Sequence, residues 1–303
     1  MKAVVLEEFG GVDKLEMKNV KDPAPGAGEV LVRMRATSVN PIDWKIRSGA
    51  TRGRIDVPLP AILGRDVAGE VVQVGEGVTG FRKGQRVMAV ADRTYAELAT
   101  VKEDLLAVIP DGLDFEHAAS LPLVTTTGAQ LIERAVKIQP GQTVLILGAL
   151  GGVGRSAVHV AKEHRAKVIA GVRKSQVEEA KKLGVEQVIA TDDPKELTKL
   201  RELDAVADTV GGDVATQALA TLKKGGVFGS VLGAPKGADQ YDVRVEALMS
   251  QPDAPRLAQL AQDAAQGQFV IPIAETLPLE EVRKAQTDAE QGKVEGKIVL
   301  KVA

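Results

Sequence analysis

The hydrophobic and polar positions of the chain change their period near residue 122. Before this point, short apolar runs partly alternate with polar residues and are separated by glycines and prolines, as at residues 30–36, 69–75 and 85–90. Short alternating runs of this kind are typical of antiparallel strands joined by turns. We therefore predict a small β-barrel in the N-terminal part of the chain.

After Pro122 the pattern becomes helical and then alternates between short apolar runs and longer helical segments. Apolar runs at residues 143–147, 167–172, 187–190, 205–207 and 227–232 alternate with helical segments that start near residues 152, 176, 194 and 213. Strands that alternate with helices indicate βαβ units and a parallel sheet. A tail follows, with a helix near 279–291 and a strand at 297–302.

A glycine-rich turn separates the first of these strands from its helix. It consists of Ala149, Leu150, Gly151, Gly152, Val153 and Gly154, a G-x-G-x-x-G pattern with alanine first. Glycines let the backbone approach a pyrophosphate, and the N-terminus of the following helix favours an anion. Such turns also serve only to pack a helix on a strand, but the surrounding strand and helix alternation favours a dinucleotide site.

The end of the second strand indicates which dinucleotide is bound. NAD-binding folds usually have Asp or Glu there, whereas this chain has Arg173, Lys174 and Ser175. Two cations and a hydroxyl suit the 2′-phosphate of NADP, and the guanidinium offers a planar pair of donors. The alternative is a solvated helix start before Gln176. The sequence therefore predicts NADPH as cofactor.

Composition limits the class of protein. The 303 residues are 44% hydrophobic and carry a formal net charge of −2, which suggests about two domains and disfavours nucleic acid or an anionic membrane as partner. Absence of cysteine excludes disulfides and thiolate catalysis, and the three histidines form no convincing metal set. No leader or transmembrane run is present in the pattern, so we expect a cytoplasmic protein.

Several further segments have a recognisable pattern: residues 39–45, 64–69, 121–122 with Thr127, the glycine turn, 208–212 and the ending 296–300. In these segments the chain resembles the zinc-independent quinone oxidoreductase and alkenal/enone reductase branch of the medium-chain dehydrogenase/reductase superfamily. The resemblance implies an α/β fold. A GroES-like β-barrel catalytic domain would cover residues 1–122 and be completed by 265–303, and a Rossmann doubly wound parallel-sheet domain would bind NADP at 123–264.

The resemblance also implies roles for single residues. Asn40 would hydrogen-bond the nicotinamide ribose, Thr127 would contact the nicotinamide, and Gly211 and Gly212 would let their loop pass the cofactor. Lys297 would be a further cofactor-binding residue. From the residues alone, Asn40 before Pro41 equally indicates a turn, and Thr127 a helix N-terminal hydroxyl.

The metal site of the zinc-dependent relatives is not expected here. At the places where those proteins have Cys and His ligands, this chain has Asn40 and Arg65. Without a Lewis acid an isolated carbonyl is hard to polarise, whereas hydride addition to a quinone or a conjugated C=C spreads the charge to a distant oxygen. We therefore predict metal-independent conjugate reduction.

Lys45 departs from the pattern of many quinone oxidoreductases, which have tyrosine at this place, and agrees with that of plant-type alkenal reductases. Its ammonium could stabilise an enolate oxygen, or it could pair with Asp43 or Asp66. With two Tyr, one Trp and five Phe, the chain offers little aromatic stacking, which favours aliphatic enones.

The sequence thus predicts an NADPH-dependent oxidoreductase that transfers hydride to a quinone or an enone, with solvent supplying the proton. The catalytic residues would be Asn40, Lys45 and Thr127. The alternatives are a strict quinone reductase and a non-catalytic NADPH-binding member of the superfamily. The resemblance also implies a homodimer, formed through the sheet of the nucleotide domain along residues 227–232 or the loop beyond Gly233, where a strand edge would otherwise stay exposed.

Overall fold

The computed structural model describes residues 1–303. By its internal contacts the chain divides into two compact units. The first consists of Met1–Leu123 and Pro252–Ala303, and the second is Val124–Gln251. The chain therefore leaves the first unit and returns to it.

The first unit is mostly β structure. Its N-terminal elements are β1 (Lys2–Leu6), β2 (Leu15–Asn19), β3 (Glu29–Ser38), α1 (Pro41–Arg47), β4 (Ala61–Ile62), β5 (Asp66–Val74), β6 (Arg86–Val90), β7 (Leu98–Lys102), β8 (Leu106–Val108) and α2 (Phe115–Ser120). A further helix, α3 (Pro122–Gln130), begins at the end of this N-terminal segment and continues into a π-helical turn at Leu131–Val136.

The second unit is a six-stranded parallel sheet with helices between its strands. Its elements are β9 (Thr143–Leu147), α4 (Gly152–Glu163), β10 (Lys167–Val172), α5 (Val177–Lys181), β11 (Gln187–Ala190), α6 (Pro194–Leu197), β12 (Leu203–Asp208), α7 (Gly212–Ala218), β13 (Leu222–Ser230) and β14 (Arg244–Ala247). The strand order is β11-β10-β9-β12-β13-β14. This is the order of a doubly wound dinucleotide-binding sheet, with its switch point between β9 and β12.

The returning segment completes the first unit with α8 (Ala254–Ala265), β15 (Ile273–Pro278), α9 (Val282–Glu290) and β16 (Lys297–Lys301). A seven-stranded sheet runs β15-β16-β3-β5-β6-β8, with β7 paired to β3, and β2-β1-β4 form a smaller sheet. β16 joins antiparallel to β3 through Val299 and Ser38. Alternate residues of these strands form one apolar core, which includes Val32, Met34, Val67 and Leu300.

The structure confirms the predicted α/β class with a β-rich domain and a parallel-sheet domain. Strands β9, β10 and β11 have the predicted bounds, because each is an apolar run buried in the sheet. β14 was not predicted. It pairs with β13 and is the last strand of the sheet. The exposed edge is therefore β14 and not residues 227–232.

The division between the units differs from the predicted domain limits at the C-terminal side. Residues 252–264 were assigned to the nucleotide domain by sequence, whereas their contacts place them with the first unit. The reason is that α8 packs on β8 and β6 through its buried face, which includes Leu257 and Leu260. Helical periodicity alone does not tell which sheet a helix covers.

The helices of the structure are all too short or too polar to cross a lipid bilayer.

Candidate active site

The glycine turn lies at the carboxyl end of β9, the central strand of the second unit. A Cβ on Gly154 would lie 2.1 Å from the carbonyl oxygen of Gly148, so only glycine fits there. Gly148 itself has a positive φ of 76° and faces Thr209 of the next turn. The close approach brings the N-terminus of α4 against the strand end, where a helix dipole and backbone N–H groups favour a phosphate.

The turn after β12 lies beside the glycine turn. Buried Asp208 holds it, since its Oδ1 accepts the N–H groups of Val210 and Gly211, each at 2.9 Å. Thr209 donates its hydroxyl to the Leu147 carbonyl of β9 at 2.7 Å. Gly211 and Gly212 both have positive φ. The two predicted glycine segments therefore meet at the switch point of the sheet, where such folds bind nucleotides.

The predicted 2′-phosphate residues follow β10. Arg173, Lys174 and Ser175 are all exposed. The Arg173 N–H donates to Gln176 Oε1 at 3.2 Å, and the Lys174 N–H donates to Asp192 Oδ1 at 2.8 Å. The end of β10 itself has no carboxylate, but Asp192, which follows the neighbouring strand β11, brings one to this turn.

Thr127 lies on α3 within the second unit and is mostly buried. Its hydroxyl donates to the Ser250 hydroxyl at 3.0 Å. Gln130 pairs with the backbone of Gln251 in both directions, at 2.7 and 3.0 Å, so residues 250–251 are tied to α3. A Cβ on Gly128 would lie 2.5 Å from the carbonyl oxygen of Val153, which means that α3 and the first turn of α4 touch through backbone.

In the first unit, Asn40 and Lys297 lie in one buried polar cluster. The Lys297 ammonium donates to Asn40 Oδ1 at 2.7 Å and to the Val39 carbonyl at 2.9 Å. The Asn40 amide Nδ2 donates to Asp66 Oδ2 at 2.6 Å, and Lys297 Nζ lies 3.6 Å from the same oxygen. Asp66 also accepts the Ser38 hydroxyl and the Leu123 N–H. Both ends of the Asn40 amide are therefore bonded.

A second carboxyl group, that of Asp43, lies next to this cluster. Its Oδ2 accepts the Asn40 N–H and the Tyr95 hydroxyl, each at 2.8 Å. Burial raises the pKa of Asp43 to about 7, although these hydrogen bonds act in the opposite direction. Burial likewise lowers the pKa of Lys297 and raises that of Tyr95 well above its usual value. The charged groups of the cluster are thus held away from water.

Lys45 lies on α1, half-buried, and makes no ion pair or hydrogen bond with Asp43 or Asp66. Both carboxylates are occupied by the partners given above. The structure therefore removes the alternative of a salt bridge for Lys45. Arg65, at the other supposed metal-ligand place, forms an ion pair with Asp92.

Four polar residues of these clusters were not predicted as functional: Asp66, Tyr95, Asp192 and Ser250. Each comes from a segment far in sequence from the residue it contacts. Asp66 gave one signal, since it is a carboxylate at the start of β5, directly before the apolar and small residues Val67, Ala68 and Gly69. For Tyr95, Asp192 and Ser250 the sequence pattern gave no signal of a functional role.

A β-rich first unit and a parallel sheet in the second, with a glycine turn at its switch point, are typical of dinucleotide-dependent oxidoreductases of two domains. Comparison with known proteins agrees with this class. The GroES-like domain of alcohol dehydrogenases matches residues 26–111, and a family described as zinc-binding dehydrogenase matches residues 183–300.

Individual relatives indicate the branch of this class to which the chain belongs. A chloroplast envelope quinone oxidoreductase homolog of Arabidopsis thaliana is 30% identical, over 96% of this chain and 95% of that protein. An NADPH-dependent alkenal/one oxidoreductase of the same plant is 34% identical over 77% of this chain, which spans 63% of that protein. The structure of Escherichia coli quinone oxidoreductase complexed with NADPH superposes with a TM-score of 0.87 at 27% identity, covering 99% of this chain and 100% of that one. The chain belongs to the medium-chain dehydrogenase/reductase superfamily, in the branch of the quinone oxidoreductases and alkenal reductases.

Proposed function

We propose that this protein is an NADPH-dependent oxidoreductase that reduces quinones or the conjugated C=C of α,β-unsaturated carbonyl compounds. The observation that carries the proposal is the joint position of the two glycine turns at the switch point of the sheet, with Arg173 and Lys174 at the end of the adjacent strand. NADPH, when bound, supplies the hydride.

The second unit offers the groups that hold the cofactor. The N–H groups at the start of α4 would receive the pyrophosphate, and residues 149–154 form the surface that approaches it. Gly211, whose N–H donates to Asp208, and Gly212 both have positive φ, and their lack of side chains would let this loop pass the cofactor. Arg173, Lys174 and Ser175 would take the 2′-phosphate, and Thr127 the nicotinamide.

The first unit offers the groups that act near the reacting atoms. Asn40 is held in one orientation by Lys297 and Asp66, so its amide would meet the nicotinamide ribose without reorganisation. Lys297 acts through Asn40 in this proposal, since its ammonium is buried among three oxygens. Lys45 has no partner, which leaves its ammonium available to stabilise the developing oxyanion of the substrate.

The reaction is proposed to need no metal. Near Asn40, the oxygens of Asn40 and Asp66 already surround the Lys297 ammonium, and Arg65 is paired with Asp92. A divalent cation at this place would compete with the Lys297 ammonium for the same oxygens and would be repelled by its charge. The chain also has no cysteine to supply thiolate ligands.

An assay of NADPH oxidation with a panel of short enones, alkenals and naphthoquinones tests the proposal. We expect turnover with NADPH, and the ratio of kcat/KM for enones and quinones assigns the acceptor class. A strict quinone reductase would leave the enones untouched. NADPH binding without turnover on any acceptor would favour a non-catalytic binding protein and overturn the proposal.

A cytoplasmic homodimer completes the proposal. β14 is the outer strand of the sheet, and Leu232, Tyr241 and Met249, close to it in the chain, are exposed apolar side chains. An uncovered strand edge with apolar neighbours favours pairing with a second copy. Sedimentation that finds only monomer at micromolar concentration would remove the dimer.

A further inference from the structure

The ends of β10 and β11 are joined by side-chain hydrogen bonds at the place proposed for the 2′-phosphate. The two strands are parallel neighbours, with Val172 opposite Ala190. Immediately after β11, Thr191 donates both its N–H and its hydroxyl to the Val172 carbonyl, at 2.8 and 3.1 Å. Asp192 follows, and its Oδ1 accepts the Lys174 N–H at 2.8 Å. A carboxylate is thus fixed against the turn that carries the two cations.

This arrangement uses the backbone donors that a phosphate would otherwise find. Turns and helix starts bind phosphate largely through backbone N–H groups. Here the N–H of Arg173 is bonded to Gln176 and that of Lys174 to Asp192. With these two N–H groups bonded, a 2′-phosphate at this turn would depend mainly on the side chains of Arg173 and Lys174 and on Ser175.

The same carboxylate opposes the phosphate by charge. A phosphate monoester carries about −1.5 to −2 charges near pH 7. Because Asp192 bonds to the Lys174 N–H, its negative charge lies within the turn that receives this group. A ribose hydroxyl, in contrast, is uncharged and can donate a hydrogen bond to a carboxylate. NAD-binding folds commonly use Asp or Glu in this way. The turn therefore holds a cation pair for one cofactor and a carboxylate suited to the other.

We propose that Asp192 is a specificity-determining residue that weakens the binding of NADPH and so narrows the preference of the protein for NADPH over NADH. The inference rests on the proposed 2′-phosphate site at Arg173 and Lys174. It goes beyond that site because it predicts an opposing residue on a neighbouring strand.

The test compares Asp192→Asn with a matched control, Asp193→Asn. The first change keeps an oxygen acceptor for the Lys174 N–H and removes the charge. The second removes the same charge one residue further on, where Asp193 accepts the Lys195 N–H at the start of α6. Dissociation constants of the full-length protein for NADPH, NADH, 2′,5′-ADP and 5′-ADP are measured by calorimetry at 0.05 and 0.5 M salt.

We expect Asp192→Asn to tighten NADPH and 2′,5′-ADP by about three- to tenfold at low salt, and by less at high salt, because the repulsion is between exposed charges. NADH and 5′-ADP should change less than about twofold, and so should all four ligands with Asp193→Asn. Unchanged or weaker NADPH binding by Asp192→Asn overturns the inference, as does equal tightening of NADPH and NADH.

The variant Arg173→Glu distinguishes a failure of this inference from a failure of the proposed cofactor site. If that change weakens NADPH selectively while Asp192→Asn has no effect, the phosphate site stands and the inference on Asp192 fails. If Arg173→Glu leaves NADPH binding unchanged, the proposed 2′-phosphate site fails, and the inference fails with it.

Discussion

Removal of the Lys297 ammonium is the sharpest test of the buried cluster in the first unit. Lys297→Met keeps most of the side-chain volume but removes the donor to Asn40 Oδ1 and to the Val39 carbonyl. It also removes the positive charge 3.6 Å from Asp66, whose side chain is 1% exposed. The Asp66 carboxylate would then remain buried without a countercharge.

The expected cost follows from this burial. Breaking a buried ion pair by removing one partner typically destabilises a protein by about 3–5 kcal/mol. For a chain of this size we expect a fall in Tm of about 5–15 °C. Asp66→Asn should cost a similar amount, because it leaves the Lys297 ammonium without its countercharge. The double variant, which has neither charge, should be more stable than the sum of the two single changes predicts, by about 2 kcal/mol or more.

Urea unfolding and thermal melting of the four proteins measure this coupling. The control is Lys293→Met, since Lys293 is 58% exposed and its pair with Asp288 spans 3.4 Å, so its loss should cost less than about 1 kcal/mol. NADPH affinity is measured on the same samples and should fall with Lys297→Met if the cluster positions Asn40. A melting temperature of Lys297→Met equal to that of the control, or strict additivity in the double variant, would refute the reasoning.

Three further predictions concern Asp43, Lys45 and metal. The pKa of Asp43 is about 7 in the folded protein and about 3.9 in the unfolded chain, so its stabilising effect is present below about pH 4 and is lost as the pH rises to 7. In urea unfolding, the wild type should therefore lose about 2 kcal/mol of stability relative to Asp43→Asn between pH 5 and 7, and parallel curves would contradict this. Lys45→Met should lower kcat by about ten- to a thousandfold with unchanged Tm and NADPH affinity, because its ammonium has no ion pair to lose; an unchanged kcat removes the catalytic role. Dialysis against a strong chelator should leave NADPH-dependent activity intact, and activity that is lost and then restored by zinc would show the opposite.

Much of the parallel sheet follows from the sequence, because a strand buried on both faces must be an apolar run. β9 and β10 were predicted with their observed bounds for that reason. β14 was missed, since Arg244, Val245, Glu246 and Ala247 mix charged and apolar residues, as an edge strand allows. The pairing of such a strand is decided by its neighbour and not by its own pattern.

The buried cluster of the first unit could not be predicted, because Ser38, Asp66, Tyr95 and Lys297 come from four separate segments of the chain. Their meeting depends on the pairing of β16 with β3 and of β3 with β5. The proposed salt bridge between Lys45 and Asp43 fails for a local reason. The two residues lie two positions apart on α1, and side chains with that spacing point to different sides of a helix.

The cluster also fixes which way the Asn40 amide points. Its oxygen is 2.7 Å from the Lys297 ammonium and its nitrogen is 2.6 Å from an Asp66 oxygen. Turning the amide over would place its NH₂ group against the ammonium and its oxygen against the carboxylate, two repulsive contacts in a buried site. Because the amide is held before any cofactor arrives, Asn40 would meet a ribose hydroxyl without a cost of ordering its side chain. In the proposed site, Lys297 and Asp66 would thus determine how Asn40 is presented to the cofactor without contacting the cofactor themselves.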